Sequence, residues 1–206
     1  MRLEVDEWAS QKRELSQAAR LLDGGGVLVI PTDSGYALAA DLHNNKAIDR
    51  VYDLKQSPRS HPLAILFAEV DEIGRYAGHV STLAYRTMKR VLPGPYTFIL
   101  PAGDQVPKRM HKKRKEIGVR VPNADVPREL ARMLGRPLAT TSLRLYDDGE
   151  ERFIIDPMDI DHRIGSKVDA IIDSGLGIED PTTVVDLRSM PFDVLREGQG
   201  SLEELG

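Results

Sequence analysis

The apolar positions of the chain fall into two alternating rhythms. Leu15, Ala18, Ala19 and Leu22 recur at helical spacing behind a candidate cap at Ser10, and Gly24-Gly25-Gly26 ends that helix before the unbroken apolar stretch Val27-Leu28-Val29-Ile30. A helix stopped by glycine and feeding a buried strand is an α/β beginning. Further runs at 63–67, 96–100, 117–121, 138–140, 168–172, 183–185 and 193–195 each predict a strand. Between them the helical period returns over 47–54, 81–92 and 127–134, the last with Pro127 in its first turn and Gly135 as its stop. Pro95, Pro122, Pro191 and several short links predict antiparallel edges beside parallel crossovers. The expected fold class is therefore α+β or mixed α/β, a mixed sheet with helices packed on it. No repeat or long linker divides the chain, and residues 201–206 read as a loosely held tail.

Composition narrows the chemistry. At 206 residues, with 41% hydrophobic and 29% charged, the chain can close one real core, so a single domain over 1–206 is expected. It has no cysteine, which removes disulfides, thiolate nucleophiles and cysteine-ligated metals and fits a reducing, cytoplasmic setting. The purest apolar run is too short to span a bilayer, and the charged opening from Met1 to Glu7 does not resemble a secretory leader, so no membrane partner is expected. The histidines at 43, 61, 79, 111 and 162 have no metal-ligand spacing, and no metal site is predicted. Gly24-Gly25-Gly26 precedes a strand, whereas phosphate-binding glycine loops precede a helix.

Charge is uneven. The chain sums to −4, yet Lys108, Arg109, Lys112, Lys113, Arg114 and Lys115 place six positive charges within eight residues, leaving −10 on the rest. Such a run is either a solvated loop or a patch for an anion, and double-stranded RNA, tRNA or rRNA is the candidate partner. Four Phe and one Trp are too few for base stacking, which favours recognition of duplex shape.

Hydroxyls and charges gather where strands end. Pro31-Thr32-Asp33-Ser34-Gly35-Tyr36, Ala139-Thr140-Thr141-Ser142 and Pro181-Thr182-Thr183-Val184-Val185-Asp186 repeat that pattern, with Lys55, Arg59, Arg120 and Arg196 beside other strand ends or turns. Ligands of α/β sheets lie beyond strand ends, and this set suits a phosphorylated or carboxylated one. Arg120 interrupts the apolar Ile117-Gly118-Val119-x-Val121-Pro122, so its guanidinium needs a partner, either a ligand anion or an internal Asp or Glu.

These motifs carry a resemblance. Val29 to Leu38, Leu54-Lys55 with Pro58 and Pro62-Leu63, Pro93 to Leu100, Gly118 to Pro122, Leu138 to Ser142, Pro181 to Asp186 and Leu195 to Gly198 resemble, in consistent order, the threonylcarbamoyl-AMP synthase family of the YrdC/YciO type, the YciO branch above all. The resemblance implies a three-layer YrdC/RibB-like fold around a twisted, mixed seven-stranded sheet with a concave basic face. It implies conversion of ATP, L-threonine and bicarbonate to threonylcarbamoyl-AMP and pyrophosphate, with Mg2+ on the triphosphate, for threonylcarbamoyladenosine in tRNA. By position, Thr32 and Tyr36 line the threonine pocket; Lys55, Ser142, Thr182, Thr183 and Arg196 contact ATP; Lys55 and Arg120 are the catalytic cations, Arg120 near the threonine carboxylate or the phosphates. Two positions depart from the family pattern: Ser57 stands where Lys-x-Arg has its arginine, and Arg144 where Ser-x-Asn has its asparagine. Three functions therefore stay open: the synthase itself, weakened or altered; an RNA-binding translation or ribosome-associated protein without that activity; and an ATP-using enzyme for a different acid or amine.

Overall fold

Leu28 and Ile30 pack to one side of a sheet and Val27 and Val29 to the other, so this strand is covered on both faces. The computed structural model describes residues 1–5, 11–55, 62–110, 115–147, 150–189 and 191–206. In chain order the elements are β1 (Arg2–Glu4), α1 (Gln11–Asp23), β2 (Val27–Thr32), β3 (Gly35–Asp41), α2 (Asn45–Lys55), β4 (Ala64–Leu66), α3 (Thr82–Val91), β5 (Tyr96–Pro101), β6 (Glu116–Arg120), α4 (Asp125–Leu134), β7 (Leu138–Ser142), β8 (Arg144–Asp147), β9 (Glu150–Phe153), α5 (Pro157–Ile164), β10 (Ala170–Asp173), β11 (Thr183–Asp186) and β12 (Asp193–Arg196). The expected helices form: Ser81 caps α3 by accepting from the Ala84 amide, and Gly135 ends α4 in the left-handed region. The candidate cap Ser10 lies outside the described residues.

The main sheet runs β1-β10-β2-β3-β7-β4-β6-β5-β11-β12, with β8 and β9 forming a separate hairpin. It is mixed, as expected, but has ten strands and not seven. Seven contiguous strands from β2 to β11 form its body. Short β10 adds parallel to β2 and carries β1, while β12 turns back antiparallel on β11, and these edge additions make the difference. The segment after Pro31 is likewise more than a polar turn: β2 and β3 form a hairpin with Asp33 and Ser34 at its tip, and every residue of β3 is buried.

Helices α1 and α4 pack on one face through Leu15, Leu22, Leu130 and Leu134, against Leu28, Ile30, Ala37 and Ala39. Helices α2, α3 and α5 cover the other through Ile48, Val51, Met88 and Ile160. Each fully buried Leu or Ile contributes about 1.5–3 kcal/mol, which makes these two layers the main source of stability. The tail is also held, contrary to the loose end expected. Leu205 is buried, Arg90 donates to its carbonyl oxygen, and the Tyr96 hydroxyl faces the Ser201 carbonyl and the Glu204 carboxylate, each at 2.9 Å.

Candidate functional site

On the α1/α4 face the two helices reach only as far as Leu66 and Leu138 at the ends of β4 and β7. Strand register shows what lies beyond them. Leu66 opposes Leu138 and Arg120, Ala64 opposes Thr140 and Gly118, Gly118 opposes Ile99, and Thr97 opposes Val184. Opposed residues share a face, so small, hydroxyl and cationic side chains floor a part of the sheet that, among the described residues, α1 and α4 leave uncovered. There they line a cavity of about 350 Å³.

Four cations reach this cavity from four directions: Lys55 at the end of α2, Arg120 at the end of β6, Arg144 at the start of β8 and Arg196 at the end of β12. Five hydroxyl residues join them, Thr97, Thr140, Thr141, Ser142 and Thr182, with Pro62, Ala64 and Val184, and no carboxylate is among the described lining residues. The Thr97 and Thr182 hydroxyls lie 2.8 Å apart.

Arg120 is almost fully buried. Its Nη2 donates to Asp33 at 2.7 Å and to the Ser34 hydroxyl at 2.8 Å, while its Nε is buried without a hydrogen-bond partner. An internal carboxylate therefore answers the charge, yet donor capacity remains. Burial lowers the guanidinium pKa and Asp33 opposes that shift. Asp33 also accepts from the Asn123 amide at 2.8 Å, and Gln199 donates to the Asp33 carbonyl at 3.2 Å. The hairpin tip that presents Asp33 depends on Gly35: its φ is +102°, and a Cβ there would sit 2.5 Å from the Ile178 carbonyl oxygen. Arg196 donates to the Thr182 carbonyl at 3.1 and 2.8 Å and to its hydroxyl at 3.2 Å, all neutral acceptors. Partial burial, and secondly the charge of Arg144, lower its pKa.

Of the residues singled out in the sequence, Lys55, Arg120, Ser142, Thr182 and Arg196 come together in this cavity. Thr183, Thr32 and Tyr36 do not line it. Thr183 is fully buried, its hydroxyl donating to the Gly200 carbonyl at 2.7 Å and accepting from the Gly198 amide at 3.0 Å. Thr32 donates to the Gly35 carbonyl at 2.6 Å inside the hairpin tip. The buried Tyr36 hydroxyl donates to the Gly175 carbonyl at 2.7 Å and accepts from the Ser174 amide at 3.2 Å. Thr97, Thr140 and Thr141 are additions, and their signal is a hydroxyl placed within or beside an apolar strand. In the basic run, Lys108 and Lys115 are exposed and Arg109 pairs with Asp49 of α2 at 3.1 Å; Lys112, Lys113 and Arg114, like Ser57 and Arg59, lie outside the described residues. Among the described residues no group of three or more His, Asp or Glu is placed to hold a metal, and no helix is long and apolar enough to cross a membrane.

The family model for Sua5, YciO and YrdC proteins, described as telomere recombination, matches residues 20–198. The chain belongs to the Sua5/YciO/YrdC family. It is 41% identical over 192 residues to an uncharacterized protein of Haemophilus influenzae, covering 93% of this chain and 92% of that one. It is 39% identical over 194 residues to YciO of Escherichia coli, covering 94% and 93%. A putative threonylcarbamoyl-AMP synthase of Methanocaldococcus jannaschii follows at 31% over 196 residues, covering 95% and 90%. The crystal structure of E. coli YciO matches the fold with a TM-score of 0.91 at 37% identity, over 100% of this chain and 98% of that one. Sua5 of Pyrococcus abyssi complexed with L-threonine also gives 0.91, at 27% identity, over 100% of this chain and 59% of the longer Sua5 chain. Family members thus include threonylcarbamoyl-AMP synthases, while the relatives near 40% identity are uncharacterized proteins, YciO of E. coli among them.

Proposed function

We propose that the chain is an ATP-binding nucleotidyltransferase of the threonylcarbamoyl-AMP synthase type, acting on L-threonine and bicarbonate. The observation that carries this reading is the cavity itself: four cations and five hydroxyls with no carboxylate among its described lining residues. Such a wall repels acidic side chains and suits a triphosphate together with an amino-acid carboxylate. The L-threonine held by the similar Sua5 supports the second half of the pair.

The chemistry asks mainly for placement. The threonine amine and bicarbonate form a carbamate with loss of water. A carbamate oxygen then attacks the α-phosphorus, forming one P–O bond as the bond to the bridging oxygen breaks, and pyrophosphate leaves with that electron pair. Negative charge grows on phosphate oxygens along this path, so fixed cations and hydroxyl donors lower the barrier without covalent participation. Lys55 and Arg196 hold phosphate oxygens, with Ser142 and Thr182 donating beside them. Arg120, steadied by Asp33 and lining the cavity, takes the amino-acid carboxylate or the α-phosphate. Magnesium arrives with the nucleotide, held by phosphates and water.

Titration calorimetry with Mg-ATP tests the site. Heat from the wild-type chain, and affinity lower by one to two decades in Arg196→Ala, is expected, since a charged hydrogen bond contributes about 1.5–3 kcal/mol. No heat at millimolar Mg-ATP, with or without threonine and bicarbonate, overturns the reading.

A further inference from the structure

A bulge in the β11–β12 ladder separates two faces at this edge of the sheet. Val184 opposes Arg196 and Val185 opposes Val194, so Leu195 is one residue extra between them. Val184 and Arg196 line the cationic cavity, whereas Val185 and Val194 line a second hollow, of about 400 Å³, on the side of the sheet that α3 covers. Leu83 of α3, Phe192, Leu202 and Leu205 continue its apolar wall. Val185 and Leu205 are buried, while Leu83, Val194 and Leu202 are exposed. A concave, mainly apolar wall of this size with a few polar groups in it is the usual form of a small-molecule site.

The polar groups come from α3. Thr87 lines the hollow and is only 1% exposed, and among the described residues nothing hydrogen-bonds its hydroxyl. A buried hydroxyl in apolar surroundings calls for a partner, and the open space it borders is this hollow. Arg90 stands three residues further along α3, on the same helix face. It donates to the Leu205 carbonyl, a neutral acceptor that leaves its charge unanswered. No Asp or Glu is among the described lining residues. One cation and one hydroxyl donor suit a carboxylate, whereas a phosphate chain calls for several cations, and the apolar wall disfavours a strongly hydrated ligand.

We propose that this hollow is a second ligand site, separate from the cationic cavity, and that it takes a small carboxylic acid with an apolar body. The carboxylate sits on Arg90 and Thr87, and the hydrocarbon lies against Val185, Phe192, Val194 and Leu202.

The test is calorimetry of the full chain with octanoate, 1-octanol and octylamine, which share one apolar body and differ in head group. Octanoate is expected to bind, octanol about tenfold more weakly, and octylamine not measurably. Arg90→Met should weaken octanoate by about tenfold or more and leave octanol nearly unchanged, while Arg90→Lys should keep most of the octanoate affinity. Thr87→Val, which preserves the shape, should weaken octanoate by about two- to tenfold. Val194→Trp, at the exposed wall, fills the hollow and should abolish binding of octanoate and octanol alike. If Arg90→Met does not fold, the head-group comparison and the Thr87→Val and Val194→Trp arms still decide. Mg-ATP should not displace octanoate, whatever its own affinity, so the nucleotide reading and this one stand or fall separately. No heat with octanoate at millimolar concentration, equal affinity for octanoate and octanol, or octanoate binding that survives Val194→Trp overturns the proposal. So does a chain that sediments as a dimer and ignores octanoate, which would give this face to a second copy.

Discussion

Arg120 at the end of β6 donates to Asp33 at the tip of the β2–β3 hairpin across 2.7 Å, although β7 and β4 lie between β3 and β6 in the sheet. Both side chains are nearly inaccessible, at 7% and 8% exposure. The pair ties the tip of the β2–β3 hairpin to the end of β6, where Arg120 lines the cavity.

Breaking it from one side should therefore be expensive. Asp33→Asn leaves a buried guanidinium with its charge unanswered and is expected to destabilise the fold by about 3–5 kcal/mol. Arg120→Met combined with Asp33→Asn should cost clearly less than the sum of the two single changes, because neither buried charge is left alone. Denaturant titration of the four proteins measures the coupling, and strict additivity would contradict the pair's role.

Tyr96 links the end of the chain to stability at high pH. Burial first, and the Glu204 carboxylate second, push its hydroxyl up to about 12. A folded value above the unfolded one, about 10, means that the stability it contributes is complete below about pH 10 and is lost as pH rises toward 12. Glu204→Gln should move the tyrosinate absorbance titration of Tyr96 downward without bringing it fully to the unfolded value, since burial remains. An unchanged titration would mean that Glu204 does not act on it.

At the acid end Asp186 carries the opposite sign. Hydrogen bonds from Arg188 hold its carboxyl below the usual range, with burial opposing. Its contribution is present above the unfolded value of about 3.9 and disappears as pH falls through the lower folded one. Asp186→Asn should therefore be less stable at neutral pH and should show a flatter loss of stability below about pH 4 than the wild type. Parallel acid limbs would contradict the assignment.

The sequence shows the strand ends but not their phase. Lys55, Ser142, Thr182 and Arg196 are legible because hydroxyls and cations at the ends of apolar runs have few structural uses. Thr183 is one residue out of step: its partner across the ladder is Tyr96, while the neighbouring Val184 opposes Thr97. A period of two then sends Thr183 toward the α2/α3 core with Tyr96 and Val185. Tyr36 likewise packs on the α2/α3 side of the sheet, while its neighbour Ala37 faces α1 and α4. Which of two adjacent residues faces a cavity is set by pairing with strands far along the chain, and that pairing is not local information. The same holds for Arg120, whose need for a partner is plain from its apolar neighbours although Asp33 lies 87 residues away. The β8–β9 hairpin and α5 escape the sequence because their apolar positions are few. The held tail escapes it because its anchors, Arg90 and Tyr96, are distant.

The two departures from the family pattern make a prediction about rate. Ser57→Arg restores the Lys-x-Arg spacing after Lys55 and should raise threonylcarbamoyl-AMP formation by tens to several hundredfold, the worth of about 2–4 kcal/mol from one well-placed cation. In that background Arg144→Asn should cost less than it does in the wild type, because both cations would serve the same phosphates. Steady-state rates of the four proteins measure this, and equal costs in the two backgrounds would contradict a shared ligand.

The central claim is that this cavity joins ATP, L-threonine and bicarbonate. Incubation of the chain with Mg-ATP, L-threonine and radiolabelled bicarbonate, followed by chromatography, tests it most directly. A labelled adenylate that requires all three substrates, and that falls sharply in Lys55→Ala and Arg120→Met, is the predicted result. No labelled adenylate from the wild type or from Ser57→Arg, with both folded and binding Mg-ATP, would contradict it.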